Sequence, residues 1–592
     1  MTGKTTPVPG AQVARLTGYV LILCFFALSA SANGLRITFT GSLSTSSVGE
    51  VHFWLGHALL LFPASLLIGY GFAPQLGSFI QRIAARVDSL TRQQQIYGLI
   101  ALTAIAIVLA RVGRQAFLLD FPISDDEYAV EFGGRVLATG HVMARIALPK
   151  EAIPELFLFF RNGAVGSFDW VGGQVVSALG QITGIGRFVW AFVAAIPVPA
   201  IAILVGRRLG ARWGFAAAVL FLCSPMALLL SMTIHAQLAS RAAFALALLA
   251  FSRADRDGGM RQWILTGALF GVAFLCRPVE TAFFAAPIGL WIVVQMFRRD
   301  PAYRASLQSI VVGSAPFIIL FLWHSYAMTG NPLLPARFAD PTYQDVMPTT
   351  LWKRFGDNAT YNTFMLAIWF LGPLGLVLVA AGVLTDRFTK LLGIAVLSEL
   401  CLALFHDNSG LHVVGPIHYS ECAVPLAIVA TYGLANVLRG ARRHLFDPRF
   451  VAAPIAGALV IGLGIFTFVQ ALALRDQAEV QREVYTSIER AVHDQGGRKA
   501  FVLAPWFYAV MGAVPPMRDL GSWVHDWRRP KLDLSDEVIF LRDNAVSASL
   551  RARFPDRRFF RLQRIESTPS LVLVPLEGGA PIRLPALGTG EP

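Results

Sequence analysis

Apolar positions along this chain gather into long runs separated by short charged connections, with little of the alternation that marks half-buried strands. A helix needs about 20 residues to cross roughly 30 Å of hydrocarbon. About thirteen runs approach that length, centred near residues 24, 62, 107, 195, 222, 245, 270, 289, 315, 374, 398, 428 and 462; those between Ser240 and Met296 are short and interrupted by charge. The pattern predicts a polytopic α-helical membrane protein of about thirteen transmembrane helices.

Positive charge orients the spans. Alternate connections carry Arg82, Arg86, Arg92; Arg207, Arg208, Arg212; Arg253, Arg256, Arg261; Arg298, Arg299, Arg304; Arg387, Lys390; and Arg439, Arg442, Arg443. These belong in the cytoplasm together with the N-terminal Lys4 and Arg15. The opposite, periplasmic or extracellular side of an inner (plasma) membrane then receives the loops Asp120 to about Arg187, His324 to Asn362 and His406 to about His418, and everything after about Leu474. Lys4 and Arg15 followed by VLILCFFALSASA also have the form of a cleaved signal peptide, which would leave the later topology unchanged.

Three divisions follow: an N-terminal two-helix membrane extension (1–95), a transmembrane core (96–474) with an outer-face loop at about 120–187, and a small α/β domain (475–592). The last rests on a charged helical stretch, DQAEVQREVYTSIERAVHDQ, then strand-like AFVLAP, EVIFL and SLVLVP. In the loop, Tyr128, Phe132 and Val136 recur every four residues, predicting a helix along the membrane surface. LFLFF at Leu156 to Phe160 is too short to span and reads as an interfacial helix or a re-entrant piece.

Composition agrees. Of 592 residues, 55% are hydrophobic and 15% charged, and mean hydropathy is +0.57. The net charge of +13 sits largely in short loops, where it reports topology rather than nucleic-acid binding. Cys24, Cys223, Cys276, Cys401 and Cys422 lie in or beside apolar runs without metal-type spacing, so neither a disulfide framework nor a zinc site is indicated.

The candidate chemistry opens at the end of the run Ile96 to Leu119, where Asp125, Asp126 and Glu127 follow in succession. Carboxylates beside a bilayer are expensive and mark functional sites by default. Ser124 and Glu127 also form an S-x-x-E capping box, in which Gln at 127 serves as well as Glu, and acids in a first turn suit the helix dipole. Capping needs fewer than three acids.

The segment DEYAVEFGGRVLATG after an apolar span resembles the first outer loop of the C-type (GT-C) integral-membrane glycosyltransferases, in the branch of the protein O-mannosyltransferases and lipid A aminoarabinose transferases. CRPVETAFFAAPIGLW (Cys276 to Trp291), WHSYAMTGNPLLP (Trp323 to Pro335) and VGPIHYSECAVPL (Val414 to Leu426) resemble later landmarks in the same order, and the likeness covers roughly Ile96 to Leu438. It implies transfer of a monosaccharide from a polyprenyl-phosphate donor to an envelope glycan, lipid or protein on the outer face, with inversion. Asp126 then matches the general base, with Glu127 beside it as a second catalytic carboxylate. Arg277 is the candidate for the lipid phosphate, through two parallel hydrogen bonds, against the plainer reading of an arginine snorkelling from a helix end. Substrate contacts are further expected from Asp125, His235, His418, Tyr419, Glu421, Tyr326 and Asp169, although helix packing, interfacial anchoring and turn formation account for several of these, and TGNP around Asn331 is a good turn by itself. Asp126 and Glu127, with Asp125, would suit a divalent cation such as Mg or Mn. Where many members read Tyr-Pro-Pro-Gly, this chain has SFDWVGGQ (Ser167 to Gln174), a departure that bears on donor or acceptor preference. A transporter or lipid flippase, and a non-catalytic relative that binds lipid-linked sugar, are the rival readings. Transporters tend to paired repeats and midplane polar sites, whereas the acids here concentrate in one loop.

Overall fold

The structure, a computed structural model, describes residues 10–31, 56–154, 156–298, 301–339, 355–356, 358–404, 414–495, 499–511, 524, 526–543, 547–565 and 571–585. Lys4, Arg299, residues 340–354 and 357 of the loop predicted at 324–362, and residues 406–413 of that predicted at 406–418 lie outside them. Among the described residues eight helices are long and apolar enough to cross a membrane, or nine if Gly56–Gly71 and Ala73–Asp88, bent by 82°, form one span. The protein is a multi-pass membrane protein. Every one of the thirteen apolar runs contains a helix, but four fall short of the expectation. Ala211–Cys223, Met260–Cys276 and Arg387–Ala403 have only 13, 17 and 17 residues, and Ala236–Asp257 carries Arg241 and Arg253 and is buried along most of its length. Helix Ala236–Asp257, shielded by neighbours along most of its length, has little lipid to satisfy, so it need not be uniformly apolar.

Helix α1 (Arg92–Phe117) starts on a Thr91/Gln94 capping box and ends in two left-handed residues, Leu119 (φ 50°) and Asp120 (φ 60°). Each costs of order 1–3 kcal/mol for a non-glycine residue. Three arginines hold the turn. Arg111 donates to Asp120 Oδ1 at 2.9 Å, Arg114 Nε lies 3.2 Å from the same oxygen, and Arg187 Nη1 donates to the Asp120 carbonyl at 2.5 Å. The turn aims the chain into α2 (Asp125–Ala138).

LFLFF, expected as an interfacial helix or re-entrant piece, is instead largely strand. Leu158–Arg161 (β1) pairs antiparallel with Ala164–Ser167 (β2), through Asn162 (φ 51°) and Gly163 (φ 72°). An Asn-Gly pair with both φ values positive is the two-residue turn that suits hairpin twist. Helix α3 (Val171–Ile182) follows. The remaining helices used below are α4 (Ala236–Asp257), α5 (Met260–Cys276), α6 (Pro278–Phe297), α7 (Pro301–Thr329), α8 (Arg387–Ala403), α9 (Ala423–Arg443) and α10 (Leu463–Asp494).

Since α10 runs unbroken for 32 residues, the boundary expected near 474/475 falls inside one helix. Beyond it stand β3 (Ala500–Ala504), β4 (Val538–Arg542), β5 (Arg558–Arg564), β6 (Leu571–Pro575) and β7 (Ile582–Arg583), in sheet order β4-β3-β5-β6-β7. Strand β3 is parallel to both neighbours, and β5, β6 and β7 run antiparallel in turn. The apolar side of α2 meets this sheet rather than lipid. Phe132 and Val136 share a core with Phe501, Leu503 and Leu541, while Tyr128 joins Val484, Tyr485 and Phe540. Helix α2 is therefore a wedge between the helical core and the sheet.

Candidate active site

The three acids that open α2 have three different surroundings. Asp125 is 1% exposed and points to the C-terminal segment, where Oδ1 accepts from the Asp526 amide at 3.2 Å and lies 3.8 Å from Arg529. Glu127 is fully buried. Its Oε2 accepts from the Ile123 amide at 2.6 Å, and its Oε1 from the Ile234 amide at 2.8 Å and from Arg114 at 3.2 Å. Half of the expected capping box is present, since Ser124 Oγ accepts from the Glu127 amide at 3.4 Å, but the Glu127 carboxylate bonds elsewhere. Both its oxygens tie loop to core. Asp126 is only partly buried, and among the described residues it has no hydrogen-bond or ion-pair partner. It is the free carboxylate of the three.

Opposite it stands Asp169, 7% exposed. Burial first, and then the neighbouring Asp126, push the Asp169 carboxyl up to about 7, against the pull of Arg337, whose Nη1 lies 3.8 Å from Oδ1. The segment SFDWVGGQ fixes this aspartate: Gln174 donates to the Asp169 carbonyl at 2.5 Å, and the Asp169 amide donates to Ser167 Oγ at 3.2 Å. Its two glycines permit close contact, because a Cβ on Gly172 would strike Cys276 and one on Gly173 would strike Ala236. On the facing helix, a Cβ on Gly133 would strike Gln174 and one on Gly134 would strike Ser177. Four glycines thus let α2, α3 and the α5/α6 junction approach closely enough to set Asp126 beside Asp169. Arg337 follows the TGNPLLP landmark and stands over the Phe168 and Trp170 rings at 5.8 and 5.9 Å; sequence reasoning passed it over, its only signal being a cation just after that landmark.

Arg277 sits at the α5/α6 junction, 4% exposed, and is no snorkelling side chain. Its Nη2 pairs with Glu280, and Nη1 donates to Glu421 Oε2 at 3.3 Å and to the Ile417 carbonyl at 3.4 Å. Its charge reaches Asp169. Glu399, hidden in the apolar run of α8, is 1% exposed and belongs to the same group of charges; a single acid in a span was its sequence signal. His235, expected at the substrate, instead braces the α2 cap, with Nε2 2.9 Å from Ser124 Oγ and Nδ1 2.8 Å from Thr233 Oγ1. Tyr419 is 1% exposed and His418 partly buried, both beside Glu421. Tyr326 is 59% exposed on α7 and is not drawn into the group, and Asn331 makes a turn, its Oδ1 accepting from the Leu333 amide at 3.0 Å. Among the described residues no three His, Cys, Asp or Glu side chains are grouped to hold a metal ion. Of the expected Asp-Asp-Glu cation ligands, Glu127 accepts from two amides and Arg114, and Asp126 alone carries no such partner among the described residues.

Residues 170–340 match the family model described as dolichyl-phosphate-mannose-protein mannosyltransferase. ArnT from Cupriavidus metallidurans, solved bound to undecaprenyl phosphate, is similar in structure with a TM-score of 0.51 at 12% identity, over 83% of this chain and 98% of that one. The fold is that of a C-type membrane glycosyltransferase. The apo form of the same ArnT gives 0.51 at 13% identity, over 79% and 93% of the two chains. An Archaeoglobus fulgidus oligosaccharyltransferase reaches only 0.45 at 13% identity, over 80% and 70%. No curated protein matches the chain in sequence. In this chain the family-matched region begins at Trp170, one residue after Asp169, and contains Arg277 and Arg337.

The Asp169 shift gives a pH prediction. Its folded value lies above the roughly 3.9 of an unfolded aspartate, so folding favours the protonated form. That contribution is complete below about pH 4 and is lost as pH rises through about 7, at up to about 1.4 kcal/mol per pH unit. Asp169→Asn keeps the neutral shape and is expected to flatten the fall in melting temperature between these limits. An unchanged pH profile would mean that Asp169 is ionised throughout.

Proposed function

We propose that the protein transfers a monosaccharide from a polyprenyl-phosphate donor to an acceptor of the cell envelope, a glycan, lipid or protein, on the outer face of the membrane and with inversion, Asp126 acting as general base. The observation that carries this reading is the unpartnered, half-buried Asp126 carboxylate facing a buried Asp169. A base must reach the attacking hydroxyl, and Asp126 alone of the triplet has free oxygens to do so. A protonated Asp169 beside it would supply a hydrogen-bond donor without adding a second negative charge. Glu127 holds the helix start in place. Arg277 is the phosphate ligand in this scheme, with Glu280 and Glu421 presenting its planar fork. The solved relative of the same fold that carries undecaprenyl phosphate supports a polyprenyl donor.

Comparing envelope glycans and lipids by mass spectrometry with and without the protein, and then supplying the purified protein with polyprenyl-phosphate hexoses and pentoses, tests the reading. Loss of one sugar mass from one acceptor is the expected result; an unchanged envelope together with movement of intact lipid across the bilayer would favour a flippase.

Sidedness is tested separately. Asn162, at the exposed hairpin tip, and Ser535, exposed in the C-terminal part, are expected as single cysteines to react with an impermeant thiol reagent in intact cells. Labelling only after lysis would place the site on the cytoplasmic side.

Arg277→Lys keeps the charge and loses the fork. It is expected to raise KM for the donor at least tenfold while leaving the melting temperature near wild type. Arg277→Ala strands buried carboxylates, which costs about 3–5 kcal/mol, so the lysine variant is the informative one. Wild-type donor dependence in Arg277→Lys would remove Arg277 from the phosphate site.

A further inference from the structure

A cleft of about 590 Å³ opens between the end of α1, one face of α2, the end of α10 and the approach to β4. Asp126, Asp169 and Arg277 do not line it. Tyr128, Glu131 and Arg135 do, and their spacing of three and four places them on one face of α2. The cleft gathers Arg135, Arg187, Arg528, Arg529 and Lys531.

Several of these cations are already matched by acids. Arg187 holds Glu131 through two bonds of 2.8 Å, Arg528 pairs with Glu489, and Lys531 lies 3.8 Å from Asp536. Arg135 is different. Arg135 has no ion pair among the described residues; its Nη2 reaches only the Arg529 carbonyl, at 3.5 Å. Arg529, with a fully buried side chain, donates to the carbonyls of Trp527 at 2.8 Å and of Leu156, with Asp125 3.8 Å away. The Nε–H of each arginine is buried without an acceptor. Buried guanidinium donors without acceptors are costly. Burial, with Arg187 and Arg529 alongside, also holds the Arg135 guanidinium below its usual range, although Glu131 and Asp536 pull the other way. An anion in the cleft would give the Arg135 guanidinium the charged partner it lacks among the described residues, although Asp120, Glu131, Glu489, Asp536 and Glu537 share the lining. Phosphates and carboxylates fit the arginine fork, and the partly buried Phe121 ring lines the same cleft.

We propose that this cleft is an anion-recognition subsite that holds a phosphate or carboxylate carried on the saccharide part of the acceptor. The acceptor assignment rests on the transfer reaction proposed above; the anion site does not. It would select acidic acceptors from a point on α2 away from Asp126, as a positioning element.

Purified full-length protein in detergent is titrated with inorganic phosphate and with glucuronate at constant ionic strength, chloride serving as control, and the melting temperature is read. Both anions are expected to raise it beyond the chloride control, and Arg135→Gln is expected to weaken that response at least about tenfold, as loss of a hydrogen bond to a charged group implies. If Arg135→Gln does not fold, Arg135→Lys, which keeps charge without the fork, is expected to weaken it severalfold. No response in wild type, or an undiminished response in the variant that folds, overturns the anion site. Nanodiscs containing phosphatidic acid, against phosphatidylcholine alone, separate the sources: protection by the lipid but not by the soluble anions would assign the cleft to a membrane headgroup and overturn the saccharide reading. Once an acceptor is known, reducing its carboxylate to the alcohol, or removing its phosphate by hydrolysis, is expected to raise KM tenfold or more with kcat little changed, and Arg135→Gln to abolish that difference. A KM indifferent to the acid, with anion binding intact, overturns the acceptor assignment alone.

Discussion

Asp126→Asn is expected to leave the melting temperature and donor binding near wild type and to lower turnover about 10²- to 10⁴-fold, the usual loss when a general base is removed. The reason is local. Among the described residues no hydrogen bond or ion pair depends on Asp126, so the amide strands no partner, and its modest burial leaves little packing to disturb. An asparagine cannot take the proton of an attacking hydroxyl. Purified variant and wild type are compared for melting, for binding of a polyprenyl-phosphate sugar, and for single-turnover transfer to the acceptor found in the envelope. Wild-type transfer would remove Asp126 from the reaction. A fall in melting temperature equal to the fall in activity would return it to a helix-start role.

The membrane architecture was legible because apolar runs and arginine-bearing connections are properties of contiguous sequence. Thirteen runs became thirteen helical regions, yet span number was not readable from them, since whether Ala236–Asp257 faces lipid or other helices depends on residues far along the chain. The hairpin at Leu158–Ser167 was missed by weighing the apolarity of LFLFF above the Asn162-Gly163 turn beside it, which was the stronger signal. In the site, Asp126 could be singled out within the triplet, but its freedom could not. That distinction depends on Arg114, Ile234, Asp526 and Arg529, which lie from 13 to about 400 positions away and claim Asp125 and Glu127 instead. Arg337 and Glu399 went unseen for a similar reason, one being a loop cation and the other an acid in an apolar run until the fold gave them partners. His235 shows the converse: a histidine near the expected chemistry that the fold spends on Ser124 and Thr233.

Glu127→Gln separates positioning from catalysis, with the opposite sign to what a capping box implies. A glutamine can complete such a box, but the observed Glu127 accepts from two amides with its two different oxygens and also pairs with Arg114. The glutamine amide has one oxygen. Its NH2 must face either Ile123 N–H or Ile234 N–H, donor against donor, and the buried Arg114 loses a full negative charge. Removing one partner of a buried pair costs about 3–5 kcal/mol, and Asp120, 3.2 Å from Arg114 Nε, puts the cost toward the lower end. The expected result is a clear drop in melting temperature, with rescue by bound donor through mass action. Turnover per folded molecule should stay within about tenfold of wild type, because Asp126 keeps its chemistry while its helix loosens. If Glu127→Gln instead melted like wild type and lost turnover as fully as Asp126→Asn, Glu127 would be a participant in the reaction and the amide clamp would be incidental.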